Sequence, residues 1–444
     1  MFVYMNVIEP SRTSLRSWYA VGVLSLAYAV SIIDRLIMPI SIQQVRHSLG
    51  VSDFEISLMM GLAFAIFYTL CGLPLGALID RVSRRWVIFG GMLTWSLAAS
   101  ACGLAGTPAQ LFGARMLVGA GEAALSPAAY SIMSDLFPKE RLAAPISVFT
   151  IGGTLGSAIA LAVGGPLLQH FTAHGGLMLP WFGTLQPWQS LYFSAGVPGL
   201  VFLALIFTFR EPVRTVPPAR PSSEASFLAF LRSNWRLFTL LFLGFGAAAS
   251  LPYGFSAWVP ALMMRSYGLG PAMVGKVFGL IVGGCGLTAH GINGFVVDWL
   301  FRRGLVDAHL RFYVISALLS TPLVVIGFLS GNWNWLLVGV VAAYLVLTPF
   351  VGYAAAALQI ITPPQMRGRM SALYLFVISA VGLGFGPTLV AGLSDLVFRS
   401  EARLGAALAS FTAICAGAAA LLLTLAMRRF RHAVMAARAT GVET

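Results

Sequence analysis

The chain has 444 residues, of which 58% are hydrophobic and only 10% are charged, and its mean hydropathy is +0.85. A soluble globular protein carries about 25% charged residues, so this composition excludes an ordinary soluble enzyme, a disordered protein and a coiled coil. The net charge is nevertheless +13, so the positions of the 28 lysine and arginine residues need an explanation.

Long stretches without a charged residue indicate membrane-spanning helices, each of which needs about 20 apolar residues. The stretches are residues 56–79, 86–114, 142–209, 237–264, 277–297, 312–366, 370–394 and 404–427. Three of these are too long for one span, and each contains a break, at residues 106–108, 170–188 and 330–335. With a first span over residues 17–40 and a fourth that includes Arg115 and Glu122, the sequence predicts an all-α membrane protein with twelve transmembrane helices.

The basic residues set the orientation, because cytoplasmic loops of membrane proteins carry an excess of lysine and arginine. If both termini are cytoplasmic, 21 basic residues lie on the cytoplasmic face and 5 on the other. The positive charge therefore requires no nucleic-acid partner, and it favours contact with the lipid bilayer. Short loops favour a multi-pass plasma membrane protein of a bacterial inner membrane.

Neither a cofactor nor a metal site is indicated by the sequence. The four cysteines, Cys71, Cys102, Cys285 and Cys415, lie in apolar spans without paired spacing, so we expect neither a disulfide nor a metal site. Sequences typical of metalloproteases, serine hydrolases and nucleotide-binding loops are missing from the chain. We therefore predict no catalytic residues and no enzyme activity.

An internal repeat divides the chain into halves. Residues 76–85, Gly-Ala-Leu-Ile-Asp-Arg-Val-Ser-Arg-Arg, recur as residues 294–303, Gly-Phe-Val-Val-Asp-Trp-Leu-Phe-Arg-Arg. The predicted domains are a six-helix bundle over residues 1–209, a cytoplasmic linker over 210–236, a second six-helix bundle over 237–427 and a cytoplasmic tail over 428–444. The linker is rich in proline and arginine, which is typical of a flexible connection.

The repeated loops also predict a gate between the bundles. An aspartate at the end of a span can bind helix-terminal N–H groups or an arginine of a neighbouring span until the contact breaks. The candidates are Asp80, Arg81, Arg84, Arg85, Asp298, Arg302 and Arg303. The alternative is that these arginines only set topology.

The loop Gly-x-x-x-Asp-Arg-x-x-Arg-Arg, the pattern Arg115-x-x-x-Gly119 and the two-bundle layout together resemble the major facilitator superfamily over essentially the whole chain. One departure is Ser83, where that family usually has glycine. Residues 121–138, with Asp34 and Arg35, resemble the spinster-type lipid transporters. This resemblance implies a bacterial homologue that moves a lysolipid or sphingolipid-like substrate, coupled to protons.

Four charged residues lie inside spans one and four: Asp34, Arg35, Arg115 and Glu122. Each costs at least about 2.5 kcal/mol in a membrane, so a pure packing role explains them poorly. Helix rise places Asp34 about 9 Å and Arg115 about 8 Å from the outer ends of their spans, with Glu122 near the midplane. We expect Glu122 and Asp34 to couple protons, with Asp34 ionised between the arginines, and Arg35 and Arg115 to bind an anionic headgroup. The alternative is an ion-pair cluster that only joins the two spans.

The second half contributes polar and aromatic candidates instead of charges. Those assigned to substrate binding are Tyr253, Trp258, Tyr353, Gln359 and Tyr374. Singly, each is more often a packed residue than a ligand. Together with many apolar side chains they predict a cavity with one charged and one apolar wall, which suits an amphiphile.

These features predict a monomeric secondary transporter that moves a small amphiphilic substrate and protons by alternating access. Two alternatives remain open at this point: a proton-coupled transporter of a small organic anion or drug, and an intramembrane lipid-modifying enzyme.

Overall fold

The computed structural model describes residues 14–79, 81–138, 141–214, 224–363 and 366–439. The helices of the first half are α1 (Leu15–Leu49), α2 (Asp53–Ser57), α3 (Ala63–Ile79), α4 (Arg84–Cys102), α5 (Pro108–Glu122), α6 (Leu125–Leu136), α7 (Ala143–His174) and α8 (Pro187–Phe202). Those that follow are α9 (Glu224–Ser233), α10 (Trp235–Tyr267), α11 (Pro271–Arg302), α12 (Ala308–Leu329), α13 (Trp333–Ala342), α14 (Val351–Ile361), α15 (Arg367–Val377), α16 (Gly384–Gly392) and α17 (Leu404–Ala439). A short hairpin of β1 (Met178–Leu179) and β2 (Gly183–Thr184) joins α7 to α8.

Several spans consist of two helices in line. A π-helical segment, Leu58–Leu62, joins α2 to α3, and comparable segments join α13 to α14 and α15 to α16. Ten helical stretches in the described part of the chain are long and apolar enough to cross a membrane. The two other predicted spans, α4 and the interrupted α5–α6 helix, pack against each other in the first bundle, so the structure is consistent with the predicted twelve.

Each predicted break contains a gap between two helices, although residues 108, 170–174, 187–188 and 333–335 are themselves helical. The first span is longer than expected, because α1 continues past residue 40 to Leu49, where Gly50 ends it in the left-handed conformation. Asp34 therefore lies about 22 Å from that end of α1, and not about 9 Å.

The spans alternate in direction and so define two faces. We call the face with the beginning of α1 and the end of α17 the terminal face, and the opposite one the distal face. At the terminal face Asp307, which precedes α12, lies 3.6 Å from Arg431 of α17. At the distal face the halves are joined by ion pairs described below.

Among the described residues, the most extensive contacts between the two bundles are those of α7 with α11, of α1 with α10 and of the Leu58–Leu62 segment with α16. Glycines permit the closest approaches, since a Cβ atom on Gly61 would lie 2.5 Å from the carbonyl oxygen of Leu383. At the α7–α11 crossing, a Cβ atom on Gly275 would lie 3.2 Å from the Cα of Gly165. Backbone therefore packs directly on backbone where the halves meet.

The segments that were assigned to the linker and tail contain helix. Residues 210–214 continue along the first bundle, where the guanidinium of Arg214 donates to the carbonyl oxygens of Ile79 at 2.7 Å and Val82 at 2.6 Å. Helix α9 lies within the 210–236 segment, and α17 continues without interruption from the last span to Ala439.

Candidate functional site

The site begins with two neighbouring residues of α1 that point in different directions, because successive residues of a helix are rotated by about 100°. Asp34 points into the first bundle and is 2% exposed. Neither of its carboxylate oxygens has a hydrogen-bond partner among the residues that the structure describes. Arg35 points towards the second bundle and lines the central cavity.

Arg35 forms an ion pair with Glu122, the last residue of α5. Its Nε donates to Glu122 Oε2 at 2.6 Å, and a second guanidinium nitrogen contacts the same oxygen. Glu122 Oε1 has no partner within the described residues. The guanidinium also lies 4.5 Å from the ring centre of Phe64 and 5.3 Å from that of Tyr68, which adds cation–π attraction. Arg35 is thus held by one carboxylate oxygen and two aromatic rings.

Arg115 is buried and bonded to backbone. Its Nη1 donates to the carbonyl oxygen of Asp34 at 3.2 Å, and its Nε lies 3.5 Å from the carbonyl oxygen of Met59. Arg115 and Asp34 therefore share a level in the bundle, as predicted. The expected ion pairs of the Asp34 carboxylate with the two arginines are not formed, since Arg35 pairs with Glu122 and Arg115 binds the Asp34 backbone.

A cavity of about 170 Å³ lies between the bundles at this level. Its charged wall comes from the first half and includes Arg35, Arg115, Tyr28 and Phe64. Its opposite wall comes from the second half and includes Tyr253, Ser256, Ala257, Val282 and Leu383. Both charged side chains that line the cavity therefore come from the first half.

The other candidates from the second half lie elsewhere. Trp258 is buried and donates from Nε1 to the carbonyl oxygen of Pro387 at 2.9 Å. Gln359 binds the Ser371 hydroxyl at 2.6 Å, the Tyr374 hydroxyl donates to the Val351 carbonyl at 3.1 Å, and Tyr353 is buried against Phe312. None of these four candidates is among the residues that line the cavity. Tyr28, Phe64 and Ser256 also line the cavity. They could not be predicted from the sequence, because aromatic and small polar residues are frequent in all the spans.

The terminal-face arginines of the first half form a network. Arg84 is buried and pairs with Asp135 of α6 and, at 3.0 Å, with Glu211. Arg85 donates to the Phe209 carbonyl at 2.7 Å. The Ser83 hydroxyl, at the position that departs from the family pattern, donates to Glu211. These partners belong to the first half or, in the case of Glu211, to the segment 210–214 that continues along it.

The remaining gate candidates are differently placed. Asp80 lies outside the described residues, and the side chains of Arg81, Asp298 and Arg302 are exposed. Arg303 lies 3.9 Å from the ring centre of Trp299. At the terminal face of the second half, the carboxylate that pairs with an arginine is that of Asp307, which lies 3.1 Å from Arg311.

A second charged cluster joins the halves at the distal face. Asp53, which is 1% exposed, binds Arg265 of α10 at 2.5 and 2.8 Å and lies 3.3 Å from Arg46. Arg46 also binds Glu401 at 2.6 Å. Asp395 accepts from the backbone N–H of Phe54 at 2.9 Å. We call these residues the distal latch, because three of their contacts cross between the bundles.

Two bundles of helices that face each other across a central, charged cavity are an arrangement typical of secondary transporters. In the part of the chain that the structure describes, no group of three potential metal ligands occurs. The sequence pattern of the Major Facilitator Superfamily matches residues 24–387, and the chain belongs to this superfamily. It is therefore a membrane transporter and not an enzyme.

Individual relatives support the same assignment. An "MFS-type efflux pump" of Mycolicibacterium smegmatis is 26% identical, and the match covers 95% of each chain. "Protein spinster" of Drosophila melanogaster is 24% identical over 89% of this chain and 65% of its own length, which confirms the relationship to spinster proteins. The same fold is found in the crystal structure of a bacterial homolog of the human lysosomal transporter spinster, in an inward-facing and unoccupied conformation. The TM-score is 0.75 and the sequence identity is 22%, and the match covers 95% of this chain and 98% of that one.

Proposed function

We propose that this transporter moves an anionic amphiphile by alternating access and couples its movement to protons. The observation that carries the proposal is the Arg35–Glu122 ion pair on the cavity wall, in which one carboxylate oxygen has no partner. Removal of one partner from a buried ion pair costs about 3–5 kcal/mol, because the other charge is left uncompensated. Any step that separates this pair must therefore provide a new partner for Arg35.

Proton and anion are coupled by this requirement. A proton on Glu122 neutralises its charge and frees Arg35, which then needs an anion. A phosphate or carboxylate that binds Arg35 displaces Glu122, which then gains a proton more readily. Proton and anion thus bind together, and the affinity for the anion rises as the pH falls. Asp34 is the second proton-coupling group, because its buried carboxylate has no hydrogen-bond donor among the described side chains.

The apolar wall argues for an amphiphile. Ala257, Val282 and Leu383 face the two arginines across the cavity, so a headgroup and a hydrocarbon chain would each find a matching surface. A lysolipid or sphingolipid-like substrate is what the resemblance to spinster-type proteins implies.

A small organic anion is the second candidate. It is favoured by the cavity volume of about 170 Å³, which is below the range of about 300–1,000 Å³ that drug-sized ligands occupy. Arg35 would bind its carboxylate in the same way. The two candidate substrates therefore differ at the apolar wall, because only the amphiphile has a hydrocarbon chain that would lie against it.

We further propose that the terminal face is cytoplasmic, that the host membrane is a bacterial inner membrane and that the protein works as a monomer. The orientation is supported by the excess of basic residues in the loops that the sequence assigns to that face. The orientation can be tested with a cysteine placed within residues 210–214. Its labelling by an impermeant reagent is compared between intact cells and inverted vesicles.

The experiment is transport into proteoliposomes under an imposed pH gradient, with lysolipids and small organic anions as alternative substrates. Wild type should show gradient-driven transport, and Glu122→Gln and Asp34→Asn should each lose its dependence on the gradient. Glu55→Gln is the matched control, since Glu55 closes a helix cap at the distal face and glutamine keeps that bond. If transport by both Glu122→Gln and Asp34→Asn still depends on the pH gradient, the proposed proton coupling is contradicted. Transport of small anions without competition by lysolipids selects the second candidate.

A further inference from the structure

A groove of about 700 Å³ lies on the outside of the contact between α7 and α11, where the two halves meet. Its apolar walls are Ala158, Ala162, Pro166, Met273 and Leu280. Helix α7 separates this groove from the central cavity: Ser157 and Leu161 line the cavity, whereas the next residue after each lines the groove. The groove is therefore a second, independent space on the lipid-facing side of the molecule.

The dimensions of the groove match one leaflet of a bilayer. It extends from Gln169 and Gly270 near the distal face to Ala158, in the middle of α7, and Leu280, about a third of the way along α11. Ten residues of helix cover about 15 Å, which is half of the hydrocarbon thickness of about 30 Å. An acyl chain of the distal leaflet can thus lie along its whole length.

The distal end of the groove is polar and positively charged. Lys276 and Gln169 line it there, each five residues, or about 8 Å, from the distal end of its helix. Lys276 is exposed, and no carboxylate lies within ion-pair distance of it among the described residues. A lysine at this depth extends its ammonium group towards the lipid headgroups. The chain has only one other lysine, Lys139.

We propose that the groove binds one anionic phospholipid of the distal leaflet, with its phosphate at Lys276 and an acyl chain along α7 and α11. Its walls belong to both halves, so this lipid contacts both bundles on the same side as the distal latch. Since both halves form the groove, a rearrangement of the halves alters it, and a lipid bound there favours the conformation in which the groove is formed. The site is separate from the cavity and therefore goes beyond the proposed transport of a substrate.

Native mass spectrometry of the full-length protein tests the proposal, with phosphatidylglycerol and phosphatidylcholine of identical acyl chains as probes. Wild type should retain one phosphatidylglycerol more tightly than phosphatidylcholine. Lys276→Gln should weaken the binding of phosphatidylglycerol about fivefold, as expected for one basic residue near an anionic headgroup. Lys276→Arg should restore this binding. Arg403→Gln, which removes an exposed charge at the distal face outside the groove, should leave binding unchanged.

Ala162→Phe provides a second variant that keeps the charge. Ala162 is exposed and lines the groove, so a phenylalanine ring at this position would occupy the groove, and it should abolish the tight site. The proposal is overturned if wild type binds the two lipids equally, if Arg403→Gln weakens binding as much as Lys276→Gln, or if Ala162→Phe has no effect. Arg35→Gln separates this site from the cavity, because it should impair transport and leave phosphatidylglycerol binding intact.

Discussion

At the scale of single residues, the central feature is an arginine that must always have a partner. Arg35 is stacked on Phe64 and paired with Glu122, whereas the neighbouring Asp34 has no partner for its carboxylate among the described residues. Both carboxylates lie in the first half and are 2% exposed. Their different surroundings underlie the different roles that we propose for them: Glu122 competes with an anion for Arg35, and Asp34 does not.

The Arg35–Glu122 pair predicts strong non-additivity. Glu122→Gln leaves Arg35 without a countercharge and should destabilise the protein by about 3 kcal/mol, the lower end of the range for a broken buried pair, since Arg35 is partly exposed to the cavity. Arg35→Gln should likewise leave Glu122 without a countercharge and destabilise the protein. The double variant removes both charges and should melt at a higher temperature than either single variant in thermal unfolding of the detergent-solubilised protein. Additive losses would mean that the pair contributes nothing to stability.

At the scale of elements, Glu211 fixes the beginning of α4 to the chain that follows α8. Partial burial raises the pKa of this carboxyl, but hydrogen bonds from the Ser83 hydroxyl and from the backbone and guanidinium of Arg84 outweigh burial, so the pKa lies below its usual value. A lowered pKa in the folded state means that the ionised form stabilises the fold. This stabilisation is present above the usual glutamate pKa and is lost as the pH falls through the lowered value.

A pH series therefore tests Glu211. At about pH 7 the wild type should melt at a higher temperature than Glu211→Gln, and the difference should disappear towards about pH 3, below the usual glutamate pKa of about 4.3. Glu55→Gln serves as the comparison, because it changes the same side chain in a helix cap. A difference between wild type and Glu211→Gln that stays constant over this range would contradict the assigned cause.

The α7–α11 crossing also depends on single positions. Gly275→Val places a branched side chain against the backbone of α7, and overpacking of this kind costs about 1–3 kcal/mol. Gly284 is on the same helix with open space around it, so Gly284→Ala is the matched control. We expect Gly275→Val to lower both the melting temperature and the transport rate, and Gly284→Ala to leave both near wild type. Equal effects of the two substitutions would indicate that helix propensity, and not the crossing, is responsible.

The fold could be predicted largely from the sequence, but the contacts between halves could not. Charges inside apolar spans identify Asp34, Arg35, Arg115 and Glu122, because such charges are costly in lipid. Which of them pair depends on helix rotation, and the sequence does not specify it. Asp53 could not be predicted for a different reason: a charge at the beginning of a span is ordinary, and it is the second half, with α16 packed on α2 and Arg265 of α10 paired with Asp53, that encloses it.

The repeat shows the same limit at the scale of the whole molecule. Its arginines recur in both halves, yet Arg84 is buried in a network whereas its counterpart Arg302 is exposed. The counterpart of Arg85 is Arg303, which stacks on Trp299, and this tryptophan occupies the position of Arg81 in the first half. Pseudo-symmetry of sequence therefore predicts the arrangement of helices better than it predicts the contacts of individual side chains.

At the scale of the whole molecule, the distal latch joins the two halves on one side of the cavity. Asp53, Arg46, Arg265 and Glu401 connect the bundles at one face of the cavity, and alternating access requires that these contacts break when the distal face opens. Asp53 is the buried member that both arginines share. Its removal therefore weakens the closed conformation more than it weakens either bundle.

Asp53→Asn should accordingly open the distal face. A loss of about 3 kcal/mol from the closed conformation alone would shift the ratio of open to closed molecules more than about a hundredfold. A cysteine introduced at Ser256, which lines the cavity, should then react with an impermeant maleimide from the distal side much faster than in the same cysteine variant that retains Asp53. Glu55→Gln, two residues further along α2, should leave the rate unchanged. If Asp53→Asn does not accelerate labelling, the ion pairs do not control opening, and the glycine-mediated backbone contacts must hold the distal face closed by themselves.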